Sequence, residues 1–162
     1  MAAATTIPVP LQLEGWVSFL RAHAAITREL SAQLQREHDL TLNDYEVLLH
    51  LSHAEGGMMR RVDLAQRVVL TASGITRLLE GLERAGYVRK ESCSSDARVS
   101  YAALTDRGRE KLRSAAETHL RGVDELFVSR YSGSELTALA ELLGRLPVTG
   151  ADCRAESDTP CS

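Results

Sequence analysis

The chain has 162 residues, 44% of them apolar and 25% charged, which suits one packed domain of ordinary size. Aromatic residues make up only 4%, which argues against a stacking platform for single-stranded nucleic acid, and no apolar run approaches the length of a membrane span. A net charge of −3 argues against wholesale polyanion binding, but the charge is uneven. Residues 58–98 hold eight basic side chains against five acidic, whereas 1–57 hold three against seven and 99–162 eight against ten. A local basic section on an acidic body is the footprint expected for duplex binding. The opening stretch, MAAATTIPVP, lacks a basic n-region and reads as a flexible arm, not a signal peptide. Cys93, Cys153 and Cys161 are odd in number, irregular in spacing and outside any C-x-x-C pattern, which fits a reducing cytoplasm.

From Leu11 to about His38, Leu13, Trp16, Val17, Leu20, Ala24, Ile26, Leu30 and Leu34 recur at three- and four-residue steps, predicting one long amphipathic helix. Thr41 with Asp44 three residues on resembles a capping box and opens a second helix with Tyr45, Leu48, Leu49 and Ser52 inward, stopped by Gly56-Gly57. A short helix follows with Val62, Leu64, Ala65 and Val68 as its apolar positions. Thr71 then suits the N-cap of a helix that buries Ile75, Leu78, Leu79 and Leu82 and ends at Ala85-Gly86.

The period changes after Gly86. Segments 87–91 and 99–104 read as two strands of a hairpin around the polar tip 92–98. Thr105 caps another long helix, with Asp106 in its positively polarised first turn and apolar positions from Leu112 to Phe127. Ser132-Gly133-Ser134 should break it. A last helix carries Leu136, Leu139, Leu142, Leu143 and Leu146, and after Pro147 the tail is small and polar.

Short helix, tight turn, helix and hairpin compose a winged helix-turn-helix. A helix enters the major groove only if one face is free of tertiary contacts. With Ile75, Leu78, Leu79 and Leu82 inward, Ser73, Thr76, Arg77, Glu80 and Arg84 are left outward. Thr71, Ser73, Thr76, Arg77 and Arg84, with Arg98 in the wing, are the candidate DNA contacts. Ser73 and Thr76 have a structural alternative as groups that satisfy helix-end donors, and Arg77 as a solvated surface residue. Arg98 either touches DNA or pairs with Asp96 to shape the wing, and both roles are compatible.

The run from Thr71 to Lys90 (TASGITRLLEGLERAGYVRK), then Asp96-Ala97-Arg98, then Leu104 to Leu112 (LTDRGREKL), resembles the MarR family in its recognition helix, D-x-R wing and L-T-x-x-G start of the long dimerisation helix. The resemblance spans about residues 11–146 in element order and is sharpest over 61–112. It implies a mainly α fold divided into an N-terminal dimerisation helix (11–40), a DNA-binding lobe (41–104) and C-terminal dimerisation helices (105–146), between flexible tails at 1–10 and 147–162. It further implies a homodimer on a pseudo-palindromic, double-stranded operator, commonly a repressor released by a ligand or an oxidant.

Relatives of this kind often bind small aromatic or phenolic anions between helical body and DNA-binding lobe. Trp16, His23, Tyr45 and His50 are the candidate lining residues, against the alternative that the aromatics are core or interface and the histidines ordinary. Cys93, near Arg89 and Lys90, is a candidate redox site, against the alternative of a passive small residue. Cys153 and Cys161 suit adventitious crosslinks. His50 and His53 are spaced to chelate zinc, with Glu46 one turn earlier, but nothing local completes the set. No nucleophile elbow, phosphate-cradling loop or metalloprotease motif is present, so no catalysis, cofactor or resident metal is expected. A protein-interaction module on the same scaffold is the alternative of a different class.

Overall fold

The computed structural model describes residues 11–68, 70–92 and 99–146. The expected tails with Cys153 and Cys161, and the hairpin tip with Cys93, Asp96 and Arg98, lie outside the described residues.

Helix α1 (Leu11–His38) follows the predicted apolar step, but its own chain buries only its second half. Leu30 and Leu34 are buried, while Leu13, Trp16, Phe19 and Leu20 stay exposed. The buried half packs on α5 (Asp106–Leu126). Gly122 sets how closely the two approach, because a methyl there would run into Leu30 and Gln33. Helix α2 (Leu42–His53) opens with the expected capping box: the Asp44 N–H donates to the Thr41 hydroxyl at 3.1 Å and the Thr41 N–H to the Asp44 carboxylate at 2.8 Å. Its buried face is Tyr45, Val47, Leu48 and Leu51, with Leu49 and Ser52 half-buried. That face is wider than the periodicity suggested because α1, α5, α3 and the sheet all press on this one helix.

A strand that the sequence did not reveal follows. Gly56 and Gly57, at φ +62° and +71°, turn the chain into β1 (Met58–Arg60). Three residues are too few to show a two-residue alternation. β1 pairs with β3 (Ser100–Leu104), which pairs in turn with β2 (Val88–Ser92), so the expected hairpin is an antiparallel sheet of order β1-β3-β2. Between β1 and the hairpin lie α3 (Arg61–Arg67) and α4 (Ala72–Arg84). Val62, counted among the apolar positions of α3, is 66% exposed. It sits about 200° around the helix from Leu64, which faces inward, so it points away from the core.

The core gathers Leu34, Leu40, Val47, Leu48, Leu51, Leu64 and Leu79, all fully buried, from α1 through α4. Burying each such leucine contributes roughly 1.5–3 kcal/mol. Thr105 caps α5 as predicted, but the helix gives way at Phe127, before Ser132-Gly133-Ser134. There the Phe127 ring packs on Tyr131 and a short 3₁₀ turn, Val128–Arg130, bridges to Ser132. Ser132 and Glu135 form a capping box for α6 (Gly133–Leu143), none of whose residues is buried by its own chain.

Candidate nucleic-acid interface

Helix α4 is positioned from within. Thr71, in extended backbone conformation, accepts the Gly74 N–H at 3.1 Å and so starts the helix where the sequence predicted. Ile75, Leu79 and Leu82 are buried and Leu78 half-buried, which anchors one face to the core. The opposite face presents Ser73, Arg77, Glu80 and Arg84 to solvent, with Thr76 half-buried at its edge.

The hydroxyls of this face are partly occupied within the helix. Thr76 donates to the Ala72 carbonyl at 2.9 Å, and Thr71 and Ser73 lie 3.2 Å apart. Neither satisfies a helix-end donor among the described residues, since the Gly74 N–H goes to Thr71 and Thr76 itself donates, and both keep acceptor capacity. The arginines differ. Neither Arg77 nor Arg84 makes a hydrogen bond or ion pair among the described residues. Arg77 thus offers a full guanidinium fork from the second turn of a helix whose near end is built of small side chains. Glu80 lies one turn from both arginines and thins the positive field between them.

The sheet flanks α4 on one side. In β2, Arg89 is paired with Glu91 at 2.5 Å, whereas Lys90 is exposed on the other face. Arg60 donates to the Tyr101 hydroxyl at 3.4 Å, tying β1 to β3 by side chains as well as backbone. The L-T-x-x-G start of α5 closes the assembly at the far end of α4. Gly86, at φ +76°, ends α4, and its carbonyl accepts the Thr105 hydroxyl at 2.7 Å. The guanidinium of Arg107 and the ammonium of Lys111 lie 5.5 and 5.8 Å from the centre of the Tyr87 ring. Local patterns showed Thr105 and Gly86 separately; their bond spans nineteen residues and has no local signal.

The candidate effector residues fall into two places. Trp16 and His23 are exposed on α1 on either side of Phe19, each with its ring 6.2 Å from the Phe19 ring. Tyr45 is buried and its ring stands 4.5 Å from that of His119 on α5, while His50 is half-buried further along α2. Phe19 and His119 were not singled out from the sequence. The Nδ1 of His119 is buried with no hydrogen-bond partner among the described residues, a position a polar ligand atom would satisfy. Burial holds His119 and His50 below the ordinary histidine value and pushes the Glu46 carboxyl up. Among the described residues no group of three or more histidine, cysteine, aspartate or glutamate side chains is placed to hold a metal ion.

Comparison with known proteins agrees with this geometry. Residues 38–99 match the MarR family model. A MarR family transcriptional regulator from Streptomyces coelicolor, AbsC, superposes with a TM-score of 0.77 at 34% identity, over 86% of this chain and 93% of its own. Sco3205 from the same organism, a MarR family regulator solved in complex with DNA, gives 0.77 at 30% identity over 86% and 90%. The HTH-type transcriptional regulator YdgJ of Bacillus subtilis is 28% identical over 142 residues, 82% of this chain and 85% of YdgJ.

Proposed function

Because the chain belongs to the MarR family, a family of DNA-binding transcriptional regulators, we propose that it acts in the cytoplasm as a homodimeric repressor released from a pseudo-palindromic operator by a small effector. The observation that carries the reading is the outward face of α4: small side chains at its start, then Arg77 with no partner among the described residues, on a helix anchored to the core by its other face. In this reading Ser73, Thr76 and Arg77 meet base edges, while Thr71, Arg84 and the wing's Arg98 meet backbone.

Exposed apolar side chains support the dimer. Leu13, Trp16 and Leu20 on α1 and Leu142 on α6 are each close to half exposed or more in the single chain. Exposed apolar side chains of this kind support a covering partner, here read as a second copy. Trp16 and His23 then belong to the interface, and the effector site centres on Tyr45, His50 and His119. A phenol hydroxyl would pair with the Nδ1 of His119. No helix among the described residues is long and apolar enough to cross a membrane.

The test is a gel shift on the DNA flanking the protein's own gene, repeated with salicylate, peroxide and zinc. Retention of that fragment over random DNA at moderate salt, lost on adding a phenolic acid, supports the whole reading. Loss with peroxide alone would transfer sensing to Cys93, and loss with zinc alone to His50 and His53. No preference over random DNA would overturn the operator reading and leave a protein-interaction module.

A further inference from the structure

Helix α4 is tied to α5 through one small joint that lies off its outward face. The N–H groups of Gly86 and Tyr87 close α4 by donating to the carbonyls of Glu83 and Leu82, both at 2.9 Å. This leaves the carbonyls of Gly86 and Tyr87 pointing onward, and Thr105 takes both. Its hydroxyl donates to Gly86 at 2.7 Å and lies 3.0 Å from the Tyr87 oxygen, to which its N–H also donates at 3.1 Å. The same hydroxyl oxygen accepts the Gly108 N–H at 3.0 Å. One side chain therefore spends its proton on the end of α4 and its lone pair on the first turn of α5.

The surroundings leave the joint little freedom. Gly108 is buried, and a methyl there would collide with the Tyr87 carbonyl and with Leu104. Arg107 and Lys111 cover the Tyr87 ring from the α5 side. A helix cap alone needs only an acceptor, which aspartate supplies as well as threonine. The donated bond to Gly86 needs a hydroxyl, and an ionised carboxylate in its place would face two carbonyl oxygens.

We propose that Thr105 is a positioning residue for DNA recognition: by holding the end of α4 on α5, it fixes how far apart the two recognition helices of a dimer stand, and so which half-site spacing the protein accepts. The proposal rests on the homodimeric operator reading given above. A dimer with two rigidly placed helices tolerates one spacing, and a loosened joint tolerates several.

The experiment selects a duplex from a random-sequence library with the wild-type chain. Affinities are then measured for that duplex, for versions with one base pair added or removed between the half-sites, and for an unrelated duplex. Wild type and Thr105→Ser are expected to prefer the selected spacing by about tenfold or more. Thr105→Asp, which keeps the cap but not the donated bond, is expected to fall to about threefold or less, with affinity for the unrelated duplex within about twofold of wild type. Should the Asp variant fail to fold, Thr105→Gly, also competent at a cap and without a donor, carries the same comparison. Undiminished spacing preference in the folded Asp or Gly variant would reduce Thr105 to a cap and overturn the inference alone. Failure of the wild-type chain to select any two-half-site duplex would overturn the operator reading and this inference with it.

Discussion

The rings of Tyr45 and His119 face each other at 4.5 Å, one from α2 and one from α5, at the place where the helix under the DNA-binding elements meets the long C-terminal helix. Burial depresses the basicity of His119; burial does the same to His50, helped by Arg67 and His53, and to His38, helped by Lys111 and Arg121. Each of these groups takes up its proton at lower pH in the folded chain than at the ordinary value of 6.5. Below that value the unfolded chain binds more protons, so stability is full above it and declines as the pH falls toward the folded values. Glu46, raised by burial above 4.5, acts with the opposite sign and nearer that lower value. The urea midpoint is therefore expected to be lower at about pH 5.5 than at about pH 7.5, and His119→Gln to shrink the difference. A midpoint that stays constant or rises on acidification would contradict this account of the three histidines.

Gly108 has no room for a side chain. Gly108→Ala places a methyl against the Tyr87 carbonyl and the Leu104 side chain. The cost expected from such overpacking is about 1–3 kcal/mol, against a gain of at most about 1 kcal/mol from helix propensity. Denaturant titration should show net destabilisation. A neutral or stabilising result would mean that α5 can slide away from Tyr87.

Glu80 is the exposed acidic residue on the outward face of α4, with Glu83 half-buried at its edge. Glu80→Gln removes a charge that repels phosphate and is expected to tighten DNA binding by about two- to fivefold across sequences, most visibly at low salt. A loss confined to duplexes carrying one particular base would instead assign Glu80 a cytosine contact.

Leu20 on α1 is 44% exposed and Leu142 on α6 is 53% exposed in the single chain. A charge at either position disfavours the apolar interface of the proposed dimer. Leu20→Glu and Leu142→Glu should sediment as monomer at concentrations where wild type is dimeric, and should lose more than about tenfold in affinity for a two-half-site duplex. Dimers that persist in both variants would move the interface elsewhere.

Local chemistry made most of the elements legible in the sequence. The Thr41–Asp44 box, the Thr71 and Thr105 caps and Gly86 each announce a helix end within a few residues, and the structure has helices there. What escaped depends on distance or on short length. β1 owes its existence to pairing with β3 some forty residues on, and three residues carry no period of their own. The break at Phe127 precedes the polar triplet that advertised one. The outward face of α4 followed from its apolar spacing, yet the lack of a partner for Arg77 among the described residues and the internal use of Thr76 emerge only once partners are placed. His119 gave no local signal, since one histidine on an amphipathic helix is ordinary until Tyr45 packs on it and its Nδ1 finds no partner among the described residues.

The central claim is that two copies of α4 enter successive major grooves and that Arg77 reads a base there. Methylation protection of guanine N7 on a duplex selected by the protein tests it most directly. The account predicts two protected patches about one helical turn, or a multiple of it, apart. With Arg77→Ala, protection should fade in both patches, affinity should drop by about 1–3 kcal/mol and discrimination at the contacted base pair should relax. Protection that is absent from the major groove, or that is unchanged by Arg77→Ala, would contradict it.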